Sequence, residues 1–335
     1  MLAGVLPFDR EADDYLFQPA GLERVAGPQA APDRAAFAGD GKWIVSQEPP
    51  AADYAAAVER VLEEIGRGGG EHPLQKVVLS RSLNIRASAP VDPGALLRRL
   101  SSDASTVTFS ASLPSREGMP SRLIGATPEL LVSRQGETIV SHPLAGSARR
   151  RADPAADRQS AEALERSDKD RREHRAAAEA VFDALAPYCS ALSAPDGTAL
   201  RATATMWHLG TRIVGRLRDR DTPVAELVAA LHPTPAVCGL PRDRAAALIR
   251  EVEGYDRDFY AGAVGWMDDR GDGEWYVALR CAQLSGSHIR LYAGAGIVAG
   301  SDPLAEVDET SAKFLAMLNA LGVDEQGRPL GEKAA

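Results

Sequence analysis

The sequence predicts one large mixed α+β domain in which antiparallel sheets carry helices on their outer side. Three observations predict it. Short β-like runs follow one another in groups rather than in strict βαβ alternation. Amphipathic stretches at helical spacing flank those groups. Gly and Pro make up about one residue in six, which implies many turns, and no collagen period accompanies them. A chain of 335 residues allows about two domains, but no linker separates two halves, so a single domain over 1–335 is expected.

The elements follow in order. Tyr54 to Gly66 spaces its apolar side chains helically and stops at glycine, predicting a helix. The glycine-rich stretch from Gly66 to Gly70 reads as a flexible connector. Strands are predicted over Lys76–Ser80, Thr106–Ser110, Glu129–Ser133 and Thr138–Ser141. A charged stretch from Arg149 to Arg175 leads into a long helix ending near Pro187. Further strands are expected over Thr205–Val214, Tyr260–Met267, Trp275–Leu284 and Ile289–Ala293. A last helix runs from Pro303 to about Leu321, with Asp302 as its N-cap and Pro303 at its first position. Val307, Phe314, Leu315 and Leu318 are its expected buried stripe.

Composition excludes several classes. Hydrophobic residues are 44% and charged residues 25%, as in an ordinary globular protein, so disorder is not the main state. The net charge of −9 suits no general nucleic-acid binder, because phosphate contacts need a basic surface. No apolar run is long enough to span a membrane, and the first ten residues do not read as a secretory signal. Cys189, Cys238 and Cys281 share no metal-ligand spacing and read as free thiols of a reducing cytoplasm.

Two acidic pairs ask for a cation. Glu306 and Glu309 share a face of the last helix, and Asp170 and Glu173 form a similar pair upstream. One reading is two solvated helix starts, where acids favour the positive dipole end. The other is that the pairs converge, in which case their mutual repulsion calls for a cation between them. Oxygen-only ligands suit Mg²⁺. The run Tyr292-Ala-Gly294-Ala-Gly296-Ile-Val-Ala-Gly300-Ser invites a phosphate-loop reading. It lacks the Gly-Lys-Ser/Thr ending and a following βαβ unit. Its narrower content is that glycine at a strand end lets backbone N–H groups approach an anion.

Five segments in order resemble the chorismate-utilising enzymes, a family that includes isochorismate, salicylate, anthranilate and aminodeoxychorismate synthases. They are Lys76-Val-Val-Leu-Ser-Arg, Ala126-Thr-Pro-Glu129-Leu-Leu, Pro143-Leu-Ala-Gly-Ser-Ala-Arg-Arg, His232-Pro-Thr-Pro-Ala-Val-Cys-Gly, and Gly294-Ala-Gly-Ile-Val followed by Glu306-Val-Asp-Glu309-Thr. The resemblance covers nearly the whole chain, with a motif core of about 73–325. It implies a single α/β sandwich of antiparallel sheets holding Mg²⁺ and chorismate in a central cleft. It also implies Glu173 and Glu309 as direct metal ligands, with Glu306 and Asp170 as outer acids. Arg280 and Tyr260 resemble the residues that hold a substrate carboxylate. Ser147, His208, Ala236, Gly296 and Lys313 resemble their companions on the substrate side. A cytoplasmic monomer acting on a small molecule, and passing its product to an isochorismate-using enzyme, completes the expectation.

The same resemblance narrows the reaction. Lys76, in an alternating strand with Val78 and Ser80 on its face, sits where water-adding members keep their base and ammonia-using members generally lack it. Glu129 resembles the general acid for the leaving 4-hydroxyl. Ala145 stands where aminodeoxychorismate synthases often carry a nucleophilic lysine, and Ala236 where pyruvate-eliminating members commonly carry Thr. An isochorismate synthase is expected, with salicylate synthase and a non-catalytic chorismate-binding paralogue as the alternatives. Gly4-Val-Leu-Pro-Phe-Asp resembles a stretch that usually lies some tens of residues into the domain.

Overall fold

The protein, described here from a computed structural model that covers residues 1–25, 27, 42–69, 72–116 and 118–330, is built on antiparallel sheets. Gly70, the end of the expected connector, lies outside the described residues. The strands β1 (Leu2–Leu6), β2 (Tyr15–Phe17) and β3 (Trp43–Glu48) precede helix α1 (Ala51–Arg67). Then come β4 (Lys76–Ala87), α2 (Pro93–Leu100), β5 (Val107–Arg116), β6 (Met119–Thr127), β7 (Leu130–Gln135), β8 (Thr138–His142) and β9 (Leu144–Arg149). Helices α3 (Pro154–Arg166) and α4 (Asp168–Leu185) lead to β10 (Cys189–Ser193), β11 (Thr198–Ala202), β12 (Met206–Thr211) and β13 (Ile213–Leu217). The chain closes with α5 (Val224–Leu231), β14 (Gly239–Leu240), α6 (Arg242–Val252), β15 (Ala263–Met267), β16 (Gly273–Val277), β17 (Cys281–Ser285), β18 (His288–Val298) and α7 (Pro303–Leu321).

An eight-stranded sheet runs β10-β13-β8-β7-β16-β15-β1-β2, and a second runs β14-β4-β18-β17-β6-β5 with β3 also on β4. A small third sheet, β11-β12-β9, lies beside them. All the strand pairs are antiparallel, as expected from consecutive strand runs. Strand β4 shows how sequence sets the layers. Its odd positions Val77, Leu79, Leu83 and Ile85 are apolar and buried in the two cores, the first pair with Tyr54 of α1 and the second with Phe314 and Leu318 of α7. Its even positions Lys76, Val78 and Ser80 face the other way.

The helix starts follow their caps. Asp92, Asp153 and Asp302 each accept a backbone N–H of the first turn, with proline next in sequence. Ser167 caps α4 through Asp170 N, so the stretch expected only as a charged lead-in already holds α3 and the first turns of the long helix. Two expected strands are also broken. Thr205–Val214 is β12 and β13 in different sheets, and Trp275–Leu284 is β16 and β17 in different sheets. A largely apolar run reads as one strand, but the backbone leaves the first sheet at residues 278–280, with Arg280 at φ 47°. On α7 the buried face is Phe314, Met317, Leu318 and Leu321, while Leu315 and Val307 are half-buried. Among the described residues no helix is long and apolar enough to cross a membrane. The three cysteines are free and buried.

Candidate active site

Lys76 opens β4 and is 1% exposed; its Nζ stands 2.9 Å from Glu173 Oε1 on α4. Glu129 lies between β6 and β7 and is also buried. Its backbone is fixed twice: its N–H donates to Thr127 Oγ1 (3.3 Å), and its carbonyl accepts from Val277 N–H (3.1 Å). Burial pushes the Glu129 carboxyl up to about 7, against a backbone hydrogen bond from Leu144 and the charges of Lys76, Arg280 and Lys313. A buried carboxyl poised near neutrality can hold or release a proton at working pH.

The two acidic pairs converge. Lys169, beside Asp170 at the start of α4, donates to Glu306 Oε1 on α7 at 2.6 Å. Burial opposes the Lys169 charge, but Glu306, with smaller help from Glu309 and Glu173, holds the ammonium above its usual range. Burial and then Glu309 push the Glu306 carboxyl up to about 7. Burial also acts on Glu309, but Lys313 at 2.6 Å outweighs it and keeps that carboxylate below its usual range. Asp170 is raised, by burial first, with Glu173 and Glu309 adding to it. Lysines thus sit on one oxygen each of Glu173, Glu306 and Glu309, and no three ligand-type side chains are gathered at metal-holding distance among the described residues. The donor set still fits a hard cation: it is all oxygen, its members repel one another, and Glu306 Oε2 is buried without a partner.

The remaining predicted residues surround one small cleft of about 50 Å³. Glu129, Ser147, Glu173, His208, Ala236, Tyr260, Arg280, Gly296, Glu309 and Lys313 all line it. Lys76 approaches it from behind Gly296, while Asp170 packs on Gly146 and Glu306 lies one turn before Glu309. Ser147 donates to Glu309 Oε1 at 2.8 Å, so it holds an acid rather than standing alone. Lys313 also donates to Gly294 O at 2.8 Å; Gly294 and Gly296 lie inside β18, opposite Ser80 and Val78 of β4, and not at a strand end as the sequence suggested. What Gly296 makes room for is a carboxylate of the protein, since a Cβ there would meet Glu173 Oε1 at 2.1 Å. Gly146, at φ 73°, similarly admits the Asp170 Cβ at 3.0 Å from where its own would stand. Tyr260 stacks on Tyr292 with centroids 4.9 Å apart, and it precedes its strand rather than opening it.

Sequence reasoning passed over Lys169 and a buried pair behind Lys76. Glu253 accepts from Ser80 N–H (2.6 Å) and from Arg257, while Arg257 donates to Val78 O (2.7 Å) and Val237 O (2.8 Å). That pair ties the Lys76 strand to the turn carrying Ala236. Its one sequence signal is the four-residue spacing of Glu253 and Arg257.

The chain and its fold are similar to known proteins. The family model described as "Chorismate binding enzyme" matches residues 23–322. Isochorismate synthase DhbC of Bacillus subtilis (strain 168) is 45% identical over 328 residues, 97% of this chain and 81% of that protein. A putative isochorismate synthase MenF of Mycobacterium tuberculosis (strain CDC 1551 / Oshkosh) is 44% identical over 97% of this chain and 87% of its own length. The crystal structure of a putative 2,3-dihydroxybenzoate-specific isochorismate synthase, DhbC from Bacillus anthracis, superposes with a TM-score of 0.88 at 42% identity, covering 96% of this chain and 84% of that one. By sequence and fold, the chain belongs to the chorismate-binding enzyme family.

Proposed function

We propose that this chain is an isochorismate synthase, an isomerase that adds water at C2 of chorismate and removes the C4 hydroxyl. The observation that carries the reading is the buried cleft that holds Glu129 near neutrality with Lys76 at its edge. The relatives named above, isochorismate synthases by name, support it.

Lys76 takes a proton from water as the water oxygen bonds to C2. The ring double bonds shift and the C4–O bond breaks. Glu129 gives its proton to the departing oxygen, which leaves as water. One water enters and one leaves, so substrate and product are isomers, and a proton returned from Lys76 to Glu129 resets the pair. Arg280 and Tyr260 hold a substrate carboxylate, and Lys313 adds positive charge on the α7 side. Glu173 and Glu309 would hold Mg²⁺ directly, with Glu306 and Asp170 acting through water. When bound, the ion supplies a fixed dication that anchors substrate carboxylate and offsets the repulsion of the buried acids.

The test is product identity. Purified enzyme with Mg²⁺ and chorismate should give a chorismate–isochorismate mixture and little salicylate, because the isomers differ little in stability. Rapid stoichiometric pyruvate, measured with lactate dehydrogenase and no isochorismatase, overturns the assignment in favour of a salicylate synthase. Ala236→Thr, which places a hydroxyl on the cleft wall, should raise the pyruvate-forming side reaction above the wild-type level in the same assay.

The Glu129 proton sets a pH dependence. The acid must be protonated to act, and its carboxyl is pushed up to about 7. kcat/KM should therefore carry a limb that falls with rising pH through that value. Glu129→Gln should abolish that limb, and a limb that persists in the variant removes Glu129 as the acid.

A further inference from the structure

The catalytic cleft is nearly closed. Its free space of about 50 Å³ accommodates roughly four waters, far less than a ring bearing a carboxylate and an enolpyruvyl arm. A second cavity, of about 590 Å³, adjoins it, and Arg280 lines both.

The two spaces share their walls. Along α7, Glu309 and Lys313 line the cleft, and Ala316 and Ala320 line the cavity. Steps of four, three and four residues keep one helix face. His208 of β12 lines the cleft, while Thr203 and Thr205, just before that strand, line the cavity. The larger cavity is thus the outward continuation of the cleft along the same two elements.

Arg280 stands where they meet. Its φ of 47° is a conformation that residues other than glycine rarely adopt, and such departures gather at functional positions. Its Nη2 lies 3.4 Å from His208 Nε2. Burial first, then the charges of Arg280 and Lys313, hold His208 well below its usual value, so a neutral imidazole is there to accept. Arg99 and Arg280 are the cations of the cavity wall. Its one acid, Asp103, already accepts the Ala204 N–H at 2.8 Å and the Ser105 hydroxyl.

We propose that this cavity is the antechamber of the active site. It receives a dicarboxylate of the chorismate class before catalysis, with carboxylate against Arg99 and Arg280. The substrate then passes inward as the Arg280 guanidinium moves from His208 to a substrate carboxylate. The proposal rests on the chorismate reading above.

The test uses the buried state of the three native thiols. In Ala204→Cys the new thiol, at an exposed position of the cavity wall, is the one a maleimide reaches. Complete labelling with pyrene maleimide should lower kcat/KM roughly tenfold or more relative to the same variant unlabelled, through slower binding. Chorismate should slow the labelling. The same adduct on Asp243→Cys of α6, whose side chain is fully exposed, should leave kcat/KM unchanged. Should Ala204→Cys fail to fold, Asn319→Trp, which fills the cavity from α7, should give the same fall in the chorismate association rate by stopped flow. Full labelling, or a folded Asn319→Trp, with kcat/KM within about twofold of its reference overturns the antechamber. Wild type that is inert toward chorismate overturns the functional reading first, and the antechamber with it.

Discussion

Lys76→Ala should lower kcat by roughly 10²–10⁴-fold, the usual share of a positioned general base, while chorismate binding stays largely intact. The side chain is 1% exposed and its Nζ faces Glu173 Oε1 at 2.9 Å, so solvent has little access to replace the amine. The loss should appear in kcat rather than KM, because the residues proposed to hold substrate carboxylate, Arg280 and Tyr260, are untouched. Removing the amine also leaves a buried Glu173 carboxylate without the group that faces it at 2.9 Å, which costs stability. Activity is therefore to be read on protein shown to be folded by near-ultraviolet circular dichroism. A folded variant whose kcat barely changes eliminates Lys76 as the base.

Chelation should abolish turnover, and Mg²⁺ should restore it. The motive is structural: four acids are drawn into one region, Glu309 adds to the cost of ionising Glu306 and Asp170, and Glu306 Oε2 is buried without a partner. Glu309→Gln should cost more activity than Glu306→Gln. Glu309 stays ionised, lines the cleft and is held by Ser147 and Lys313. Glu306 lies behind it, paired with Lys169. A direct ligand contributes more than one that acts through water. Isothermal titration of Mg²⁺ into each variant checks the order independently of turnover. Full activity in excess EDTA, with absence of metal verified by elemental analysis, defeats the metal assignment.

Much of this molecule was legible in its sequence. A capping residue marked the start of α7, Asp302 followed by Pro303, because a cap is satisfied within a few residues. Alternation in β4 placed Lys76, Val78 and Ser80 on one face, since strand periodicity is local. The order of five motifs named the family and nominated the cleft residues. Tertiary structure decided what locality cannot. Whether Asp170 and Glu173 meet Glu306 and Glu309 depends on how α4 and α7 dock, and those helices are more than a hundred residues apart in the chain. Lys169 gained meaning only when that docking set it against Glu306. The split of Trp275–Leu284 into strands of two sheets depends on the turn at Arg280, where packing overrides a run whose apolar pattern reads as continuous. Glu129 could be nominated from Thr-Pro-Glu, but its carboxyl near neutrality is a property of burial, set by the surrounding fold rather than by its neighbours in sequence.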